Sequence, residues 1–310
     1  MIQVSNLTFS YSKKPFIEGM NFEVKEGEIF GFLGPSGAGK STVQKILLGM
    51  LPNYEGSAMV GGVECKKHGS DFYQNIGVDF EYSTMYEKLS ARENLEFFSS
   101  LYNTESRRGG KSGHIGNGMN SALGKSGLTG DEKSYRSIDE LLQAVGLEND
   151  ADKRVADFSK GMKSRLNFIK ALVHDPKLLF LDEPTSGLDP TNSRLMKDMI
   201  LEEKRRGKTI LLTTHNMQDA TELCDRVAFI VGGKLFALDS PHNLIMSKGA
   251  AKVTYSWIEN DEQTASCALT EMSQDHQLQS LIAENRLQSI HSSEPTLNDI
   301  FMDITGRTLL

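Results

Sequence analysis

The sequence predicts an α/β fold: a parallel-sheet core, an N-terminal antiparallel β region, a helical region and a small α+β appendage at the C-terminal end. Three observations carry that expectation. The runs Ile29-Phe30-Gly31-Phe32-Leu33, Leu178-Leu179-Phe180-Leu181 and Thr209-Ile210-Leu211-Leu212-Thr213 are almost wholly apolar, as suits strands buried on both faces of a parallel sheet. Helical periodicity fills the stretches between them, as crossover connections require. The first run feeds straight into a glycine-rich turn and then a helix, the context of a phosphate-binding loop.

Taken in order, Ile2, Val4, Leu7 and Phe9 alternate roughly with polar residues and predict an opening strand. A second strand region runs from Phe16 to Val24, with a tight turn at Lys25-Glu26-Gly27-Glu28. This alternation suits an antiparallel sheet exposed on one face. The helix after the glycine-rich turn ends near Gly49, and Gly56 to Val63 reads as a hairpin around Gly61-Gly62. Ile76-Gly77-Val78-Asp79-Phe80 is a short strand. Ser90, with Glu93 three positions later, forms a capping box for a helix reaching about Tyr102. Residues 104–133 carry glycines and serines but almost no large apolar side chains, and such a segment cannot offset its ordering entropy. It is expected to be a flexible insertion, and its two Gly-Lys-Ser triplets lack the flanking strand and helix that nucleotide binding requires. Helices follow at Ile138 to Val145, after Ser159, and from about Asn192 to Arg206. A hairpin turns at Gly232-Gly233. Beyond Lys248, a strand at Val253 to Ile258 and helices at Asp275 to Glu284 and Thr296 to Ile304 make up the appendage.

Composition sets outer bounds. A net charge of −7 makes the chain no general magnet for nucleic acid or anionic lipid. Three cysteines, Cys65, Cys224 and Cys267, lie far apart with no metal-binding spacing, which suits a reducing compartment. No secretory signal is read at the N-terminus, and no apolar run approaches the ~18–20 residues that span a bilayer. A role at the membrane therefore requires a partner.

The chemistry concentrates in Gly34-Pro35-Ser36-Gly37-Ala38-Gly39-Lys40-Ser41-Thr42. Two glycines five positions apart are followed by Lys and Ser. Glycines let backbone N–H groups converge on one point, and no Cβ blocks a phosphate. Lys40 can reach terminal phosphates, the Ser41 hydroxyl can ligate Mg²⁺, and the helix start favours anions. Asp182 and Glu183 stand at the C-terminal end of a buried strand, where open parallel sheets bind ligands. Asp182 can hold Mg²⁺ through a water, and Glu183 can polarise the water that attacks the γ-phosphate. His215 ends another central strand. In Phe158-Ser159-Lys160-Gly161-Met162, Ser159 is a good N-cap. Gly161 in the first turn costs about 1 kcal/mol against Ala, which points to a close approach there. The charge run Glu202 to Lys208 reads as a solvated helix end.

With these motifs in hand, the chain resembles the nucleotide-binding subunit of an ATP-binding cassette (ABC) transporter over about residues 1–247. The carriers are the phosphate loop, Phe158 to Met162, the stretch Leu181-Asp182-Glu183-Pro184-Thr185-Ser186-Gly187-Leu188-Asp189-Pro190, and Thr213-Thr214-His215. The resemblance implies a P-loop NTPase of ABC type with a helical signature subdomain at about 82–175, followed by an accessory region at 248–310. It implies ATP and Mg²⁺ as cofactors, and two such subunits sandwiching two ATPs, with a homodimer favoured over a heterodimer. Each ATP would lie on one phosphate loop and be completed by Ser159 and Gly161 of the opposite subunit, with Asp189 in the loop crossing between the sites. Tyr11 matches the aromatic that stacks on adenine.

Two departures stand out. The family usually has Gln where this chain has Glu81, which can still offer Mg²⁺ an oxygen but adds charge and lacks an amide donor. Altered Mg²⁺ or coupling behaviour is expected. Lys160 stands where the signature usually has Gly, and it can attract phosphate or crowd the site. The tail Glu294 to Arg307 resembles the C-terminal end of ATPases serving ABC-2-type exporters of drugs, antibiotics or polysaccharide-like cargo. The leading reading is thus an export motor that hydrolyses ATP, peripheral on the cytoplasmic face of the membrane, with a separate permease as partner and no nucleic acid. The alternative is a soluble ABC ATPase acting on ribosomes or DNA. Soluble translation-factor relatives typically carry two cassettes and a linker, whereas this chain has one set of motifs and no basic linker. A third reading, a scaffold that binds ATP without hydrolysing it, conflicts with intact Lys40, Asp182, Glu183 and His215.

Overall fold

The computed structural model describes residues 1–81, 84–102, 136–248, 252–259, 261–293 and 295–306. The expected insertion at 104–133 lies outside the described residues. In chain order the elements are β1 (Ile2–Phe9), β2 (Ile17–Val24), β3 (Ile29–Leu33), α1 (Lys40–Leu47), β4 (Tyr54–Val60), β5 (Val63–Glu64) and α2 (Ser70–Tyr73). There follow β6 (Ile76–Asp79), α3 (Ala91–Ser100), α4 (Ile138–Ala144), α5 (Lys160–Lys170), β7 (Leu178–Asp182), α6 (Pro190–Arg205), β8 (Thr209–Thr214) and α7 (Met217–Leu223). The chain continues through β9 (Arg226–Val231), β10 (Lys234–Asp239), α8 (Pro241–Lys248), β11 (Lys252–Ile258), β12 (Glu262–Ala268), α9 (His276–Ala283), β13 (Leu287–Ser293) and α10 (Leu297–Thr305).

Two compact units emerge. The first joins Met1–Lys67 to Thr209–Leu310, and the second is His68–Lys208. In the first, β1 pairs antiparallel with β2 and β4, and alternate residues of β1 are buried, as the sequence pattern requires. Strand β3 lies parallel between β8 and β9, and β10 pairs antiparallel with β9. Every residue of β3 and β8 is buried, the environment their apolar sequences call for.

The C-terminal residues divide between two places in that unit. Strands β12, β11 and β13 form a small antiparallel sheet around Tyr255, Trp257, Leu278 and Leu281. Helix α10 instead lies against α7, α8 and β10, and its Phe301 meets Phe229 of β9 edge-on at 5.1 Å.

In the second unit β6 and β7 pair parallel, with Asp79 opposite Leu181. The capping box at α3 forms as read: the Glu93 N–H donates to Ser90 Oγ at 3.1 Å, and the Ser90 N–H donates to Glu93 Oε2 at 2.7 Å. Helix α6 starts two residues earlier than its apolar pattern suggested. Asp189 caps it, accepting from the Thr191 and Asn192 N–H groups at 3.1 Å, and Pro190 takes the first-turn position where no N–H is needed. Helix α5 ends at Lys170, with turns carrying the chain on to β7. Among the described residues no helix is long and apolar enough to cross a membrane.

Candidate active site

In the first unit, β3 delivers the chain into the phosphate loop, and Lys40 opens α1. Gly34 is obligatory there, because a Cβ at that position would lie 2.1 Å from the Ile230 carbonyl oxygen of β9. Gly39 has φ of 111°, a conformation that side-chain-bearing residues avoid. The Ala38 N–H donates to Pro35 O at 3.1 Å, and the Gly233 N–H donates to Ala38 O at 2.9 Å. The turn of the β9–β10 hairpin therefore braces the loop from behind. The Lys40 side chain is buried, and its ammonium donates to Gly34 O at 2.7 Å and Pro35 O at 3.4 Å. Ser41 is exposed beside it.

His215 reaches the same place by strand register. Leu33 pairs with Thr214 in the parallel β3–β8 ladder, so Gly34 and His215 leave the sheet side by side. The Asn216 N–H donates to Thr214 Oγ1 at 2.9 Å and fixes the turn after the exposed His215. Tyr11, 60 % exposed, is held edge-on by Phe9 at 4.8 Å and Phe16 at 5.6 Å, and its hydroxyl hydrogen-bonds Thr42 Oγ1 at 3.1 Å. That bond ties the aromatic to the helix of the phosphate loop, a link the sequence did not signal.

In the second unit, β7 ends at Asp182, and Glu183 follows with φ of 51°. A left-handed conformation at a non-glycine residue costs roughly 1–2 kcal/mol. Strain of this kind clusters at working residues. Asp182, Glu183, Glu81, Lys160, Asp79 and Asn167 are among the residues lining one cleft of about 270 Å³. Glu81 is exposed.

Ser159 caps α5, its Oγ accepting from the Met162 N–H at 3.2 Å. Gly161 is buried, and a Cβ there would meet the Asn192 side chain at 2.7 Å. Asn192 is itself held by Asp189 Oδ2 at 2.5 Å, a bond that keeps the Asp189 carboxyl below the usual carboxylate range. The close approach expected at Gly161 is thus, within this unit, the packing of α5 against the start of α6. The Lys160 ammonium lies over Gly187, where a Cβ would sit 2.0 Å from its Nζ.

Sequence reasoning passed over Asp79 and Asn167. Asp79 is 5 % exposed and accepts a hydrogen bond from Asn167 Nδ2. Burial pushes its carboxyl up to about 7, and Asp182 adds to the rise, while Lys170 and Asn167 oppose it. The same burial lowers the Lys170 ammonium, with Asp79 opposing. One signal was present: a carboxylate in the otherwise apolar Ile76 to Phe80 run. Among the described residues no cluster of three or more His, Cys, Asp or Glu forms a metal site.

Comparison with known proteins agrees with this layout. The ABC transporter family model matches residues 17–186. The chain is similar to a fluoroquinolones export ATP-binding protein of Mycobacterium tuberculosis, 45 % identical and covering 100 % of this chain and 94 % of that protein. It is also similar to the linearmycin resistance ATP-binding protein of Bacillus subtilis, 32 % identical over 100 % of this chain and 99 % of that one. Among solved structures it is similar to the ATP-binding subunit of an ABC transporter, with a TM-score of 0.64 and 25 % identity over 79 % of this chain and 92 % of that one.

Proposed function

The chain belongs to the ABC transporter family, and from that premise we propose that it is the ATP-hydrolysing motor of an exporter, working through a separate membrane permease. The observation that carries the reading is the strand-end arrangement. In the first unit the phosphate loop and His215 leave paired parallel strands side by side, and in the second unit Asp182 and Glu183 stand at the C-terminal end of β7. Strand C-terminal ends are where open parallel sheets engage ligands, which supports phosphate binding at the loop and catalytic roles for these residues.

Each residue then has a task. Backbone N–H groups of Gly34 to Thr42 cradle the phosphates, and Lys40 supplies the point charge at their terminal end. Tyr11 stacks on adenine, which is worth about 1–3 kcal/mol per base. Glu183 takes the proton of the attacking water, and His215 stabilises charge on the γ-phosphate. Ser159 and Gly161 complete the site of a second subunit, with Asp189 between the two sites. A second copy of this chain is the simplest partner cassette. The oxygen donors Ser41, Asp182 and Glu81 suit a hard cation such as Mg²⁺, which when bound neutralises charge on the phosphate oxygens.

Export follows the relatives' names, and the membrane-facing cytoplasmic location follows from a permease partner. With a net charge of −7, nothing favours a ribosome or DNA role. In the direct test, the purified chain releases phosphate from ATP in the presence of Mg²⁺. A chelator takes the rate to background, and added Mg²⁺ restores it. Turnover that survives the chelator would remove the metal from the mechanism, and absence of turnover with Mg²⁺ would remove the ATPase reading.

A further inference from the structure

We propose that Asp79 and Asn167 are positioning residues that clamp the segment carrying Glu81 onto the helix that carries the signature residues. The inference rests on the ATPase reading above. Asn167 Nδ2 donates to Asp79 Oδ1 and, at 3.3 Å, to Phe80 O. Its Oδ1 accepts from Lys170 Nζ at 2.9 Å, and that ammonium also donates to Thr84 Oγ1 at 2.7 Å. Lys170 Nζ lies 5.3 Å from the centre of the Phe98 ring, which gives it a further favourable face. The network therefore grips the chain on both sides of Glu81, at Asp79 and Phe80 before it and at Thr84 after it. All three bonds to the segment come from α5, which Ser159 caps and whose first turn bears Lys160 and Gly161, and the Lys170–Asn167 bond braces them within the helix. Asp79 and Asn167 are both nearly fully buried and line the same cleft as Glu81, Asp182 and Glu183.

A generic packing role would be met by apolar side chains. A buried carboxylate–amide pair is costly to leave half satisfied and fixes one geometry when complete. A movement of α5 is thereby transmitted to Glu81 as a displacement rather than absorbed by sliding. Misplacing a reacting group by ~1 Å can cost about 10²-fold in rate, so the clamp acts on the rate of the chemical step more than on nucleotide affinity.

The test compares Asp79→Leu, Asn167→Leu, the double Leu variant and the swapped pair Asp79→Asn/Asn167→Asp in the full chain, with wild-type phosphate release as the baseline. Removing both partners together leaves neither member of the carboxylate–amide pair half satisfied, while Phe80 O and Lys170 Nζ lose Asn167 as they do in the Asn167→Leu single, so the double variant should melt no lower than that single variant. We expect kcat to fall roughly 10- to 100-fold in both single variants and no further in the double. KM for ATP should stay within about two-fold, and half-saturation should shift to higher Mg²⁺. The swap, which restores one donor and one acceptor, should recover most of the rate. Thr84→Val removes only an exposed hydroxyl, so it reads the clamp even where a core variant fails to fold; its kcat should fall and its Mg²⁺ requirement rise. A double variant with wild-type kcat, a loss confined to KM, or an unchanged Thr84→Val enzyme would overturn the clamp while leaving the ATPase reading intact. A wild-type chain without turnover would overturn both.

Discussion

Glu183→Gln is expected to cut ATP turnover by about 10²–10⁴-fold, the usual loss on removing a general base, while ATP binding is kept. The substitution is nearly isosteric, so the left-handed turn at φ 51° and the bond from the Ser186 N–H to Glu183 O at 3.0 Å are retained. What changes is the ability of the side chain to take a proton from water. Phosphate release and binding of a fluorescent ATP analogue, measured on one preparation, separate the two effects. Near-normal release would take Glu183 out of the mechanism.

Lys40→Met has the second large effect, and it falls on binding. The methionine keeps most of the volume of a side chain that is 7 % exposed, so the fold holds. It removes the ammonium that now donates to Gly34 O and is placed to reach terminal phosphates. Hydrogen bonds to charged groups are worth roughly 1.5–3 kcal/mol, so affinity for the ATP analogue should fall by about 10- to 100-fold. Unchanged affinity would show that the backbone cradle suffices without Lys40.

The parts of this site that were legible in the sequence are the local ones. An apolar run feeding glycines, Lys40 and Ser41 specifies strand, loop and helix between Ile29 and Leu47. The capping box at Ser90 is read from residues three apart and is present. The Asp79–Asn167 pair was invisible because its members lie 88 positions apart, and nothing in either segment names its partner. Strands β12 and β13 escaped for a different reason. Their residues are mostly polar and exposed, and their strand character comes from flanking β11 rather than from their own pattern. The tail helix was foreseen from its apolar spacing, but that spacing shows only that one face is buried. That the face meets Phe229 depends on the tertiary fold.

A motor of this kind is expected to close as a pair on ATP, and light scattering reads that closure as a doubling of mass. Purified Glu183→Gln protein, expected to hold ATP without consuming it, should be a monomer alone and a dimer of twice the mass with Mg-ATP. A monomer that persists with ATP demonstrably bound would contradict closure of this chain on a second copy of itself.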